Sequence, residues 1–471
     1  MIKTIFVVCL VLVQITSLFT QVPDYVNNQF QYTITKDINY GSAIAYDGTE
    51  TQVLLDIYKP VNDNNCKRPL IIMIHGGAWI AGTKEDYQIV EMSKELASKG
   101  WVVAAINYRL GMHTPAVYTP YLLCPANNPV LCARVCDSSE VFRGAYRGMQ
   151  DAKGAIRFMK LRSEIDSTDA SNTFVAGESA GAFVSLYVAF LDQESEKPVA
   201  CGAIPNAPES DNYLNYCHNP TTDLSRPDLG DIEGTLHTGG VDASVQGIGN
   251  IYGGLMDMNI MDNKKLPMYI FHQASDIIVH YKKAKVLGRL SECLNSICEP
   301  FYNMPTASGG FLIRDYYQNL GASGPVFKAD ILENSTAIDC TINPAGHSLD
   351  NINLRTKNMA GVFAQVIYAN GNDPLKSCIT ATNELQINSL IKLYPNPGNT
   401  DFIISGFPSD ETITNVVILD ALGKKLPCSF VQSTTGEIKF NFLTKPHPGI
   451  YLCRIISPNF SLIKQFISND N

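Results

Sequence analysis

Apolar and polar positions alternate through residues 30–59, first around Tyr32 and Ile34 and then from Val53 to Tyr58. A period of two puts side chains on opposite faces of an extended chain. Two antiparallel strands are therefore predicted, the second ending at Lys59-Pro60. The pattern then changes. Pro69-Leu70-Ile71-Ile72-Met73-Ile74 and Trp101-Val102-Val103-Ala104-Ala105-Ile106 are unbroken apolar runs, as strands buried on both faces require. Between them Ile89, Met92 and Leu96 recur at helical spacing, and Gly100 marks the end of a helix over 85–99. Helical spacing returns at about 144–163 through Met149, Ala152, Ile156 and Met159. Thr173–Ala176 reads as a strand, followed by a tight turn and a helix from Ala180 to about Phe190. Further strands are predicted at Cys201–Ile204 and Met268–Phe271. Strands alternating with helices predict an α/β fold, a mostly parallel sheet with helices on both faces. Such a sheet keeps its reactive groups beyond the carboxyl ends of its strands.

Three irregular stretches break this rhythm, at about 111–142, 206–262 and 291–340. Long irregular segments in a compact domain are expected to be lids or binding loops. After about residue 380 long helices stop. Short strand patterns recur instead at 401–404, 416–419, 438–442, 450–455 and 462–467. This predicts a separate all-β sandwich at 390–471. The domain plan is a leader at 1–20, an α/β domain at 21–382 and the sandwich.

With 471 residues, of which 17% are charged, and a net charge of −9, the chain is neither disordered nor basic. Nucleic acid and anionic membranes are disfavoured as partners, since both select basic surfaces. Lys3 followed by the apolar run Ile5–Val13 and then Gln14-Ile15-Thr16-Ser17 reads as a secretory signal peptide, too short for a membrane anchor. No other stretch is long enough to predict a transmembrane helix. Of the 13 cysteines, Cys9 falls in this leader. An even number remains in an exported chain, which predicts disulfides. Cys293 with Cys298, Cys340 with Cys378, and Cys428 with Cys453 are candidate pairs, and Cys124, Cys132 and Cys136 cluster. Zinc is the rival use of Cys132-x-x-x-Cys136, which lacks a second matched pair. No metal or organic cofactor is expected. Asn396 and Asp420 stand in no dense oxygen-ligand cluster of the kind calcium needs.

The strongest chemical signal is Gly177-Glu178-Ser179-Ala180-Gly181, placed between a predicted strand and a predicted helix. Glycines permit a strained turn that lifts Ser179 clear of the sheet, with the positive end of a helix behind it. A second Gly-rich loop, His75-Gly76-Gly77-Ala78-Trp79, follows a buried strand. Its backbone N–H groups can approach an oxyanion closely. A nucleophilic serine needs a base, and the base needs a carboxylate to hold its tautomer. Asp276 follows the strand Met268–Phe271, and His347 stands in a loop before a helix at about 350–370. The order serine, acid, histidine suits a strand–turn–helix serine hydrolase. His218, His237, His272 and His280 are less well placed, and His75 is read as structural. Trp79 and Glu178, beside the two motifs, are expected to contact substrate, with core packing the alternative for Trp79.

These residues resemble the esterase and lipase branch of the α/β-hydrolase fold. Gly177–Ala182 and Ile106-Asn107-Tyr108-Arg109-Leu110-Gly111 look like the carboxylesterases. Leu55-Asp56-Ile57-Tyr58-Lys59-Pro60 and His75–Trp79 look like smaller bacterial and feruloyl-esterase-like enzymes. The resemblance spans about 40–370. It implies Ser179, Asp276 and His347 as catalytic residues, an oxyanion hole of Gly77, Ala78 and Ala180, and a cap insertion at about 206–262. Ala78 stands where many relatives carry glycine. In the C-terminal part, Leu393-Tyr394-Pro395-Asn396-Pro397, Val417–Lys424, Gly449-Ile450-Tyr451 and Lys464–Ile467 resemble the sorting domain of the type IX secretion system of Bacteroidota. That implies export across the outer membrane, with the domain often removed. The expected protein is a secreted serine esterase acting on a small-molecule or polymer-linked ester. A peptidase of the same fold, or a non-catalytic binding protein, is the alternative.

Overall fold

The structure is a computed structural model. It describes residues 24–63, 65, 67–112, 138–205, 225–261, 265–289, 304–335 and 346–370. In the C-terminal part it describes 391–396, 400–406, 412–420, 425–433, 437–443, 445–456 and 461–469. The predicted leader therefore lies outside the described residues. The chain divides into two compact units, the first formed by the described residues within 24–63 and 67–370 and the second by residue 65 and the described residues from 391 onward.

The first unit opens with a long antiparallel pair, β1 (Gln31–Ile44) and β2 (Glu50–Val61), where alternation predicted strands. β3 (Arg68–Ile74), α1 (Tyr87–Ser98), β4 (Val102–Ile106), α2 (Ser139–Leu161), the short α3 (Ser163–Asp166), β5 (Thr168–Glu178) and α4 (Ala180–Phe190) follow. Then come β6 (Ile248–Ile251), β7 (Gly254–Leu255), β8 (Met268–Gln273), β9 (Lys283–Lys285), β10 (Thr306–Gly309), α5 (Gly310–Asn319), β11 (Phe327–Leu332) and α6 (Ile352–Ala369). Eight strands form one sheet in the order β1-β2-β4-β3-β5-β6-β8-β11. β1, β2 and β4 pair antiparallel, and every pairing from β4 to β11 is parallel.

The unbroken apolar run of β3 explains the two layers. Leu70, Ile72 and Ile74 enter the core under α2 and α4, while Ile71 and Met73 enter the core under α1 and α6. A strand with helices on both faces has no polar side, so the run cannot alternate. Trp101 fills the second core, edge-on to Phe174 and Phe363.

Three sequence expectations are corrected. Cys201–Ile204 is not a sheet strand: Val199–Cys201 is a 3-10 turn, and Ile204 forms one isolated bridge with Arg226. The strand beside β5 is instead β6, which lies inside the segment expected as a cap at 206–262. Its glycine is required by packing, since a methyl on Gly249 would stand 2.4 Å from Met359 Sδ and 2.6 Å from Ala176 Cβ. Of that segment, 206–224 and residue 262 lie outside the described residues. Likewise 291–340 is not simply a loop. It contains β10, α5 and β11, the last an edge strand only half-buried and so without an apolar run.

The second unit holds two four-stranded sheets. One is β12 (Lys392–Tyr394), β13 (Asp401–Ser405), β17 (Ile438–Phe442) and β16 (Cys428–Gln432) in that order. The other is β15 (Lys425–Leu426), β14 (Asn415–Asp420), β18 (Gly449–Ile456) and β19 (Ser461–Ser468). All their pairings are antiparallel. Phe402 and Phe440 from one sheet pack with Ile418, Cys453 and Phe466 from the other in a shared core, as a sandwich requires. Cys428 and Cys453 are both free thiols, against the pairing suggested by their proximity in sequence, and Cys201 is free as well. The other candidate cysteines lie outside the described residues. No helix among the described residues is long and apolar enough to cross a membrane.

Candidate active site

β5 ends at Glu178 and α4 begins at Ala180, so Ser179 alone makes the turn. Its backbone sits at φ 51°, ψ −122°, a conformation that non-glycine residues rarely adopt. The turn is possible because its flanks are glycine. A methyl on Gly177 would lie 2.3 Å from Gly181 O, and one on Gly181 would lie 2.2 Å from Ile74 O. The Ser179 N–H donates to Ile251 O of β6 at 3.0 Å. α4 therefore directs its N-terminus, with its partial positive charge, at the serine.

The loop after β3 lies against this turn: a methyl on Gly76 would come within 3.1 Å of Ser179 Cβ. Gly77, Ala78 and Trp79 all have positive φ, and the N–H groups of Ile80 and Ala81 both donate to Gly77 O. His75 is buried, its ring stacked on Tyr108 at 4.5 Å with Nδ1 2.7 Å from Gly76 O. Burial lowers its basicity, consistent with the structural role read from the sequence. Trp79 and Glu178 do not present themselves to substrate as expected. Trp79 is 2% exposed and packs edge-on to Phe183 and against Gly144. Glu178 turns inward, and its Oε2 accepts the Tyr252 hydroxyl proton at 2.5 Å. Burial pushes the Glu178 carboxyl above its usual range, opposed by the Tyr252 hydrogen bond and the charge of His347.

His347 joins the serine from the far end of the unit. Its Nε2 is 2.7 Å from Ser179 Oγ, 168 positions away in sequence. Its Nδ1 is 2.8 Å from Asp276 Oδ2, across 71 positions. Asp276 stands in the turn after β8, fully buried, with Oδ1 accepting from the N–H groups of Ile278 and Val279 at 2.9 Å each. Burial alone would raise this carboxyl. The charge of His347 and hydrogen bonds from His272 and His347 outweigh it, and the net shift is downward.

The His347 loop is pinned on both sides. Ser348 O accepts from Gln273 Nε2 at 2.7 Å, and the Leu349 N–H donates to Gln88 Oε1 at 2.9 Å. Gln88 Nε2 in turn donates to the Tyr252 hydroxyl at 2.9 Å, and the Tyr252 ring lies 4.6 Å from the imidazole. Sequence reasoning missed Gln88 and Tyr252, because nothing local marks a glutamine on α1 or a tyrosine after β6. It also set aside His272, which lies on β8 with Nε2 3.2 Å from Asp276 Oδ2. Among the described residues, no group of three or more His, Cys, Asp or Glu side chains is arranged to hold a metal ion.

Parts of the chain are similar to known proteins. Residues 55–119, from β2 past the Gly-rich loop, match the BD-FAE family model. Residues 392–469 match that of the secretion system C-terminal sorting domain. Isoprenylcysteine alpha-carbonyl methylesterase of Arabidopsis thaliana is 24% identical over 175 residues, which is 37% of this chain and 33% of that protein. The match thus spans about one third of that relative's length. Among solved structures, a truncated carbohydrate esterase from gut microbiota is similar at 18% identity and a TM-score of 0.35, covering 64% of this chain and 89% of that one. The apo form of Thermogutta terrifontis esterase 2 is similar at 15% identity and a TM-score of 0.37, covering 71% and 94%. The fold itself is carried by the strand order and the Ser179 turn. The first unit has the α/β-hydrolase fold, and the chain ends in a secretion system C-terminal sorting domain, the mark of type IX export to the cell surface or beyond.

Proposed function

We propose that the protein is a secreted serine carboxylic-ester hydrolase. The observation that carries this reading is the continuous hydrogen-bonded path from Ser179 Oγ through His347 to Asp276. Ser179 attacks the ester carbonyl while His347 Nε2 takes its proton. The same imidazole then protonates the leaving alcohol, and water hydrolyses the acyl-enzyme. Asp276 holds the tautomer in which Nε2 is free to accept, and it stabilises the imidazolium. Gly77, Ala78 and Ala180 supply the oxyanion N–H groups. Ala180 is the first residue of α4, so its N–H has no carbonyl one turn back to bond within the helix. The BD-FAE match over 55–119 supports an ester substrate over a peptide. The domain plan is an α/β-hydrolase unit at 21–382 behind a cleaved leader. The 390–471 sandwich is read by the type IX machinery.

The test is hydrolysis of p-nitrophenyl esters from acetate to palmitate by the wild type and Ser179→Ala. Turnover falls by at least about 10³-fold in the variant, and a fluorophosphonate labels only the wild type. Equal rates in both proteins would refute the triad. Activity falls at acid pH because the base must be neutral. A profile flat down to pH 4 would contradict that.

A further inference from the structure

Asp276 serves two imidazoles, and only one of them belongs to the proposed triad. His272, on β8, is wholly enclosed. The Gly310 N–H at the start of α5 donates to its Nδ1 at 3.1 Å. A ring nitrogen that accepts carries no proton, so the proton of the neutral ring sits on Nε2. Nε2 lies 2.7 Å from Val279 O, to which its N–H donates, and 3.2 Å from Asp276 Oδ2. A methyl on Gly310 would come within 3.0 Å of Nδ1 and 2.9 Å of Ile270 Cγ2, so glycine there lets the amide reach the ring. Three N–H groups thus donate to the carboxylate, two backbone amides to Oδ1 and the His347 imidazole to Oδ2, and the His272 Nε2–H stands beside Oδ2.

We infer that His272 is a positioning residue for the proposed reaction. It keeps Asp276 ionised with Oδ2 aimed at His347, and it draws off part of the charge that Asp276 offers to the imidazolium. The inference rests on the Ser179–His347–Asp276 reading. A side chain that only filled the space between β8 and α5 would need neither nitrogen. Here both are engaged, and one of them touches the carboxylate that His347 uses.

The ionisable groups facing His347 are Asp276 after β8, Glu178 at the end of β5 and Tyr252 after β6. Those facing His272 are Asp276 and His280, the latter within electrostatic reach of Arg289 and Lys282. Without the His272 N–H beside it, the Asp276 charge falls more fully on His347. The imidazolium gains stability, and the base stays protonated to higher pH.

The experiment uses the full chain and p-nitrophenyl acetate. His272→Phe moves the acid limb of the kcat/KM profile upward by about half to one pH unit. It lowers kcat about tenfold with KM within about threefold of wild type. His272→Gln, whose amide N–H can donate to Asp276, recovers both to within about threefold. An unchanged limb and kcat in a His272→Phe protein with native tryptophan fluorescence would overturn the inference. If that variant does not fold, the ¹⁵N spectrum of the wild type decides. A proton on Nε2 and a bare Nδ1 in His272 support the role, and a proton on Nδ1 overturns it. A Ser179→Ala protein with wild-type turnover would remove the triad, and this role with it, whatever the His272 tautomer.

Discussion

Tyr252→Phe tests how the serine turn is tied to the histidine loop. The substitution keeps the ring against His347 and deletes one oxygen. That oxygen donates to Glu178 Oε2 at 2.5 Å and accepts from Gln88 Nε2 at 2.9 Å. A hydrogen bond to a buried charged group is worth about 1.5–3 kcal/mol and a neutral one about 1 kcal/mol. The expected loss of stability with Glu178 ionised is therefore about 2–4 kcal/mol. The loss depends on pH. Glu178 already has a raised carboxyl because it is buried, and Tyr252 is the first of the interactions that hold it down. Removing the hydroxyl raises it further. Between the unfolded value, about 4.3, and the folded one, the native state binds more protons than the unfolded state. Stability then falls as pH rises through that window, and the window is wider in the variant. Below the unfolded value the loss shrinks to the neutral hydrogen bonds, about 1–2 kcal/mol, and above the folded value it is full. Both tryptophans of the chain, Trp79 and Trp101, lie in the α/β unit, so their fluorescence in urea reports that unit alone. With m of about 3 kcal/mol/M or more, the full loss lowers the midpoint by up to about 1.3 M. An unchanged midpoint at every pH, or the same deficit from about pH 4 to about pH 9, would refute this account.

Glu178→Gln keeps the shape and removes the ionisation, so it flattens the fall in the urea midpoint as pH rises above the unfolded carboxylate value; a wild-type slope in this variant would show that the carboxyl is not the titrating group. Gly181→Ala forces a methyl to 2.2 Å from Ile74 O and 2.5 Å from His75 O, a clash expected to cost more than about 4 kcal/mol. Soluble yield and tryptophan fluorescence should both collapse, and a folded, active variant would contradict the geometry. In the sandwich, burial raises both the Cys428 and Cys453 thiols, so alkylation of the native protein is slow. After unfolding without reductant both residues should alkylate, and a Cys428–Cys453 cross-link in a non-reducing peptide map would disprove the free thiols.

The elements legible in the sequence were those whose signal is local. β3 and β4 announce burial on both faces by their apolar runs, and α1 shows its buried stripe of Ile89, Met92 and Leu96. The Ser179 turn is legible because a strained backbone demands glycine at fixed offsets. β6 was not legible, since Ile248-Gly249-Asn250-Ile251 has loop composition and becomes a strand only because β5 and β8 lie on either side of it. β11 failed for the opposite reason, being an edge strand with little to bury.

For the proposed site, the sequence by itself offered the candidate residue types and their chain order: a serine in a glycine turn, an acid after a strand, a histidine before a helix. Only the tertiary structure decided what surrounds them. Glu178 faces inward because the chain after β6 brings Tyr252 to its carboxylate. Trp79 is core because Phe183 and Gly144 close over it. His272 touches Asp276 because the turn after β8 folds back over its own strand while α5 supplies an amide from the other side. A side chain's type and its place in a strand are local properties of the chain. Its burial and its hydrogen-bond partners depend on residues tens to hundreds of positions away, and folding alone brings those together.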